Sequence, residues 1–490
     1  MAEKTLKDKT VKGVGWSAAD AFLGQGVTFL VGLVLARLLT PEEYGLIGIV
    51  TIFITVMSGI VDSGFSNALI RKQDVTDTDY STLFYFNLAV SILMFALLYA
   101  GAPWIADFFK KPELVNLVRV MGLILIIQAL SLVQNTILSR RIDFKTKTKA
   151  SVVSAVTSGI IGIVMAIMGF GVWSLVAQQL TKNLMYTLSL WWLNRWWPRL
   201  KISIASLSYM WSFGWKLLVS GLLDNIWKQL YQVVVGKFYS AESLGQYTRS
   251  DQYASIFSTN LTMIVQRVSY PVLSEIQDDK ERMVSGYRRI IKTTMFVTAI
   301  LMISLGAVAD PLLYCLIGPQ WHMAATFLPL ICINMSMYPL NAINLNMLQV
   351  QGRTDIFLYL EIIKKTISVV PVVIGIFVDI YWMLISGIII GIIGFFLNSY
   401  YTGRSLGYTS WMQLRDIAPS YVIAFLIAFS VYFFKYLPVS NWVILPVQIA
   451  VGAVVFFLLC EWMKLPEYIE VKDIAGGLLK KMSNRLSKRR

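Results

Sequence analysis

Histidine and cysteine are nearly absent from the 490 residues, which hold one of the first and three of the second. With a lone His322 and with Cys315, Cys332 and Cys460 scattered through apolar stretches, neither a Cys/His metal site nor a disulfide framework can be assembled. No G-x-x-x-x-G-K-[ST] loop and no His-Glu-x-x-His pair occurs, which excludes phosphate-loop nucleotide hydrolysis and zinc-protease chemistry. No cofactor is called for. Charge is scarce as well: 14% of residues, against about 25% in soluble domains. The chain also lacks long polar segments. Its longest loops run to about 20 residues, too few to fold as a catalytic domain.

What is present is apolar. Hydrophobic residues make up 56% of the chain and the mean hydropathy is +0.63. Fourteen apolar runs can be drawn, at 16–38, 45–69, 82–106, 114–138, 150–169, 171–192, 209–235, 254–274, 290–317, 323–349, 355–378, 381–401, 418–436 and 441–463. Most have the length that a helix needs to cross about 30 Å of hydrocarbon. These runs predict an all-α integral membrane protein of about 14 transmembrane helices. The basic start, Lys4 to Lys12, leads directly into the first run, which reads as a retained helix rather than a cleaved signal.

The formal net charge of +15 does not point to nucleic acid, because the basic residues gather in alternate loops. With the N-terminus inside, about 30 lysines and arginines fall on inner segments and about six on outer ones, which predicts that both termini face the cytoplasm. Trp191, Trp192, Trp196 and Trp197 crowd the inner end of the sixth run, and Trp104, Trp173 and Trp382 mark outer ends, as an interfacial belt requires.

The sequence also repeats itself. Ala36-Arg37-Leu38-Leu39-Thr40-Pro41-Glu42-Glu43-Tyr44-Gly45 and Gly236-Lys237-Phe238-Tyr239-Ser240-Ala241-Glu242-Ser243-Leu244-Gly245 share one pattern 200 residues apart. Trp173 and Trp382 give a weaker echo. A duplication of six helices keeps both halves in the same orientation. Two parallel six-helix lobes are therefore expected, residues 1–200 and 201–405, followed by two added helices and a basic tail, 406–490. Transporters of this build hold substrate near the midplane between the lobes.

Polar residues inside apolar runs are costly, about 2.5–3.5 kcal/mol for a charge, and mark a cavity or a pairing. On the sixth run Gln178, Gln179, Lys182 and Asn183 share one face by their i, i+3, i+4 spacing. The seventh carries Lys216, Ser220, Asp224, Asn225, Lys228 and Gln229; Asp224 and Lys228 are spaced to neutralise each other. Arg267 and Glu275 follow in the eighth, then Asn334, Asn341, Asn344, Asn346 and Gln349 in the tenth, and Glu361, Lys364 and Lys365 in the eleventh. Glu361 can reach either lysine, leaving the other free. The asparagines suit either sugar hydroxyls or helix–helix contacts. The cationic excess, Lys182, Lys216, Lys228, Arg267, Lys364 and Lys365, predicts a cavity for an anionic cargo. A membrane glycosyltransferase or polymerase is the rival class. Its best acidic pair would be Glu42 and Glu43, but Glu42 recurs as Glu242 in the repeat and reads as a helix-start residue.

Leu35 to Gly45 resembles the end of the first helix in the Wzx-type polysaccharide flippases, and Asp62-Ser63-Gly64-Phe65-Ser66-Asn67-Ala68-Leu69-Ile70-Arg71-Lys72 is similar to their second helix and inner loop. Phe84-Tyr85-Phe86-Asn87-Leu88, Gly169-Phe170-Gly171-Val172-Trp173-Ser174-Leu175-Val176 and Arg267-Val268-Ser269-Tyr270-Pro271-Val272-Leu273-Ser274 continue the series. No single motif is diagnostic; their order along the whole chain is. The resemblance lies nearest the WzxC/TuaB-like branch of the MOP superfamily, to which MATE drug exporters and the lipid II flippase belong. It implies a V-shaped fold that flips undecaprenyl-pyrophosphate-linked oligosaccharides across the bacterial cytoplasmic membrane for exopolysaccharide, capsule, O-antigen or teichuronic acid. It implies coupling to an ion gradient, for which Asp20, Asp62, Asp224 and Glu361 are the candidates, and a polysaccharide polymerase and export proteins as partners. The alternative within the superfamily, a MATE-like multidrug or cation exporter, calls for an acid-dominated cavity and usually twelve spans.

Overall fold

The computed structural model describes residues 23–473 apart from residues 63 and 277; the basic start and the basic tail fall outside the described residues. These residues hold helices and no strand. In the first part of the chain lie α1 (Leu23–Leu38), α2 (Pro41–Asp62), α3 (Phe65–Arg71), α4 (Asp77–Phe109), α5 (Leu114–Met121), α6 (Leu123–Arg140), α7 (Phe144–Ile167), α8 (Val172–Asn194), α9 (Ile204–Phe238) and α10 (Ala241–Glu275). Then come α11 (Lys280–Ala307), α12 (Ala309–Ile317), α13 (His322–Ser336), α14 (Tyr338–Val350), α15 (Thr354–Ile367), α16 (Val369–Phe377), α17 (Ile380–Leu406), α18 (Ser410–Tyr432) and α19 (Asn441–Met463).

Breaks between helices have local causes. Gly64, at φ 66°, takes the left-handed turn between α2 and α3. Gly122 separates α5 from α6, and a Cβ there would press on the Phe95 ring at 3.1 Å. Helix starts carry the hydroxyls and carboxylates that satisfy first-turn amides. Thr76 and Asp79 form a reciprocal capping box on α4, and Asp143, Ser203, Asp279 and Thr409 accept from the third residue of their helices.

Among the described residues, nine segments are long and apolar enough to cross a membrane. Those that fall short of this standard are α1, α8, α9, α10, the short α12 and the broken pair α15–α16. All ten residues expected to line a cavity sit on four of these: Gln178, Gln179, Lys182 and Asn183 on α8, Lys216, Asp224 and Lys228 on α9, Arg267 on α10, and Lys364 and Lys365 on α15. Large apolar side chains such as Leu93, Ile160, Phe429 and Leu458 stand exposed, the surface of a chain whose solvent is lipid.

By packing the chain divides into two compact units, Met1–Gly245 and Gln246–Arg490. Thus α9 goes with the first unit, whereas the sequence repeat divides the chain at residue 200. The reason is local: Arg199 and Ser203 donate their amides to Ser81 and Thr82, and Phe65 stacks edge-on against Trp211 at 6.0 Å. The first unit's core gathers Phe65, Leu69, Leu83, Phe84, Val133 and Met210. The second unit's core is built on Met283, Tyr287, Ile291, Met295, Ile343 and Phe395.

The two copies of the sequence motif meet each other. α2 begins at Pro41 and α10 at Ala241, the same 200-residue offset. A Cβ on Gly45 would overlap the Ala241 carbonyl oxygen, and one on Gly245 would overlap the Pro41 carbonyl oxygen. The contact is reciprocal: each glycine lies against the first residue of the other helix. Only a residue without a side chain permits backbones this close, and such approaches carry Cα–H···O contacts. Around this crossing Glu43 closes a box on Thr40, and Lys111 reaches Glu42 at 2.5 Å. Glu42 and Glu43 therefore act as helix-start and bridging groups.

A polar band within the first unit

Five helices of the first unit bring polar side chains together. Ser58 of α2 donates to Gln128 Oε1 of α6 at 2.8 Å, and Gln128 Nε2 donates to Asn183 Oδ1 of α8 at 3.2 Å. Asn183 in turn donates to the Gln179 carbonyl at 2.9 Å. One residue earlier, Lys182 Nζ reaches Thr28 Oγ1 of α1 at 3.3 Å. From α9, the Asn225 amide lies over Gly59, where a Cβ would come within 2.7 Å of its nitrogen. The stem of Gln178 packs on α7 at Gly162, where a Cβ would meet it at 2.9 Å. Of the four α8 residues, Lys182 and Asn183 make polar side-chain contacts to α1 and α6, partners on helices that the spacing rule could not name.

Charge along this band is unequal. Lys182 is half-buried and has no carboxylate partner among the described residues; its ammonium rests on a hydroxyl. Lys216 is exposed, also without a carboxylate among them, its nitrogen 6.0 Å from the Trp215 ring centre. Asp224 and Lys228 neutralise each other at 2.7 Å. Asp62, the acid at the end of α2, takes a hydrogen bond from Ser66 at 2.9 Å. Asp20 lies outside the described residues.

In the second unit Arg267 of α10 is exposed and makes no hydrogen bond or ion pair among the described residues. Lys364 takes Glu361 at 2.5 Å, so the i+3 partner is chosen over Lys365. Its stem packs on Gly394 of α17. Lys364 is therefore a neutralised group rather than a free cation, and Glu361 an occupied acid. Lys365 is half-buried on the same helix.

Two asparagines of the tenth run, Asn341 and Asn344, hold helices together. Asn344 is fully buried: its Oδ1 accepts from Tyr287 at 2.7 Å, Thr402 at 3.1 Å and Gln413 at 3.2 Å, and its Nδ2 donates to Leu340 and Gln413. Asn341 accepts from Asn398 at 2.9 Å. These bonds tie α11, α14, α17 and α18 and leave Asn344 no capacity for a sugar.

A family model described as polysaccharide biosynthesis protein matches residues 34–326, more than half of the chain. The chain belongs to this family. The succinoglycan biosynthesis transport protein ExoT of Rhizobium meliloti (strain 1021) is 28% identical over 331 residues, 67% of each protein. The teichuronic acid biosynthesis protein TuaB of Bacillus subtilis (strain 168) is 29% identical over 311 residues, 62% of this chain and 64% of TuaB. The lipopolysaccharide biosynthesis protein WzxC of Escherichia coli (strain K12) is 22% identical over 377 residues, 76% of each. Among solved structures, the lipid II flippase MurJ in an inward closed conformation matches 92% of this chain and 98% of its own at a TM-score of 0.71 and 14% identity. An inward-facing MATE family multidrug transporter of the MOP superfamily matches 80% and 99% at 0.60 and 17%. At such identities the likeness is one of fold: the chain has the fold that MurJ and this MATE transporter share.

One residue of this family member escaped the sequence reading. Asp251 of α10 makes no hydrogen bond or ion pair among the described residues. It shares a face, at i, i+4, i+7 and i+11, with Ser255, Ser258 and Thr262, and Ser258 donates to the Met335 carbonyl of α13 at 2.7 Å. The signal was the spacing; it was missed because the apolar run was drawn from residue 254, whereas α10 begins at Ala241.

Proposed function

We propose that this protein flips a lipid-linked oligosaccharide, the undecaprenyl-pyrophosphate-bound unit of a surface polysaccharide, across the bacterial cytoplasmic membrane. The observation that carries the reading is Lys182, a half-buried ammonium that meets a hydroxyl and no carboxylate among the described residues, within a band of amides and hydroxyls. A cation left uncompensated in low dielectric attracts an anionic headgroup strongly, and the amides beside it suit sugar hydroxyls. Relatives named for transport or biosynthesis of succinoglycan, teichuronic acid and lipopolysaccharide support the same reading. On this reading all fourteen helical segments cross the bilayer and both termini are cytoplasmic. Residues 1–200 and 201–405 act as the two repeats, and Asp62 is the acid most available for the coupling ion. The polysaccharide polymerase and export proteins are its partners.

The test is a chromosomal Lys182→Met, Lys216→Met double variant. Surface polysaccharide falls tenfold or more with the protein still in the membrane at wild-type level, since a charge-assisted bond to phosphate contributes about 1.5–3 kcal/mol. Lys182→Arg restores part of it. Wild-type polysaccharide in the stable double variant would remove the assignment.

A further inference from the structure

At the end of the first unit where α4 finishes and α8 begins, a recess of about 440 Å³ opens between α4, α5 and the start of α8. Its walls are Tyr99 and Phe95 of α4, Asn116 and Arg119 of α5, and Trp173, the second residue of α8. Among the described residues no acidic side chain lines it. The guanidinium of Arg119 lies 4.5 Å from the centre of the Tyr99 ring and meets no carboxylate among the described residues.

The recess is built rather than incidental. The break at Gly122 lets the Phe95 ring lie against the backbone between α5 and α6, where any Cβ would meet it at 3.1 Å. Phe95 and Tyr99 stand 5.8 Å apart as one tilted wall, and Trp173 keeps its face partly exposed. Arg119 lies five residues into Leu114–Arg140, a segment apolar enough to cross a membrane. Its Nε donates to the Tyr99 carbonyl at 3.5 Å, which leaves the other guanidinium N–H groups for an anion or water in the recess. The recess therefore offers three things together: aromatic faces, amide and guanidinium donors, and one uncompensated positive charge.

We propose that this recess binds an acidic sugar ring, such as a uronic acid residue. The ring's apolar C–H face would lie on Trp173 or Tyr99, its hydroxyls would meet Asn116, and its carboxylate would meet Arg119. A volume of this size holds one or two sugar rings, in the range of small-ligand pockets. The site is separate from the polar band around Lys182, which lies on α1, α2, α6, α8 and α9. As a contact for the glycan of the transported unit it rests on the flippase reading; as a sugar site it does not.

The experiment uses the purified full-length protein in nanodiscs. Binding of a glucuronate-containing tetrasaccharide is compared with that of a neutral glucose tetrasaccharide by saturation-transfer NMR and calorimetry. The expected result is preference for the acidic probe. Arg119→Gln weakens it tenfold or more and erases the preference, and Trp173→Leu weakens both probes about equally. Melting temperatures of both variants report whether the fold is kept, and Arg119→Lys, which keeps the charge, retains part of the preference. The assay reads binding and no transport, so the site stands even where the transport reading fails. Equal affinity of Arg119→Gln and wild type, equal affinity for the two probes, or displacement of the sugar by phosphatidylglycerol in the same nanodisc would overturn the proposal.

Discussion

Replacing Gly45 with alanine tests whether the crossing of α2 and α10 is set by backbone contact. The new methyl would overlap the Ala241 carbonyl oxygen, well inside the 3.0 Å limit that real Cβ atoms essentially never pass. A side-chain tip could swing away; a carbonyl in the first turn of a helix cannot. Restoring a carbon–oxygen separation of about 3.5 Å requires the two helix ends to part by on the order of 1–2 Å. Overpacking costs about 1–3 kcal/mol when flexible atoms give way, and here the backbone must, so we expect about 3 kcal/mol, roughly a hundredfold in the unfolding equilibrium. The assay is denaturant unfolding of the purified chain in one fixed detergent. Gly101→Ala is the control, since a Cβ there finds only the Trp104 ring at 4.0 Å; it is neutral or stabilises by up to about 1 kcal/mol through helix propensity. Gly245→Ala meets the Pro41 carbonyl and is relieved by the same separation. The double variant therefore loses less than the sum, by about 1 kcal/mol or more. A Gly45→Ala protein as stable as wild type, or full additivity with Gly245→Ala, would refute the reasoning.

Further predictions concern the second unit. Asn344→Leu leaves the Tyr287 hydroxyl and the Gln413 amide without their shared acceptor, so stability falls by about 2–4 kcal/mol by the same unfolding assay while polysaccharide export tracks only the amount of folded protein. Arg288 of α11 grips Asp416 of α18 through two hydrogen bonds, and the carboxylate is 8% exposed. Arg288→Met leaves Asp416 with Tyr408 alone at 2.8 Å and costs about 3 kcal/mol, and adding Asp416→Asn recovers part of the loss in a double-variant cycle.

Composition and pattern were enough for the class of protein and its all-helical build. Apolar length selects a membrane helix whatever its neighbours are, and the offset of 200 residues predicted α2 and α10 as equivalents. The pairings within one helix, Asp224 with Lys228 and Glu361 with one of its lysines, were equally open to a spacing argument because i+3 and i+4 positions are always adjacent. What lay beyond it were contacts made across helices. Thr28 and Lys182 are 154 residues apart, and nothing local announces that a hydroxyl rather than an acid meets that lysine. The sequence left Asn344 equally suited to a cavity or a core; three other helices packing around it decided for the core. Likewise the motif glycines could be recognised as a repeat, but that each lies on the other's helix is a fact of packing alone. A residue's identity states what it can bond to, and the fold decides which of those partners come within reach.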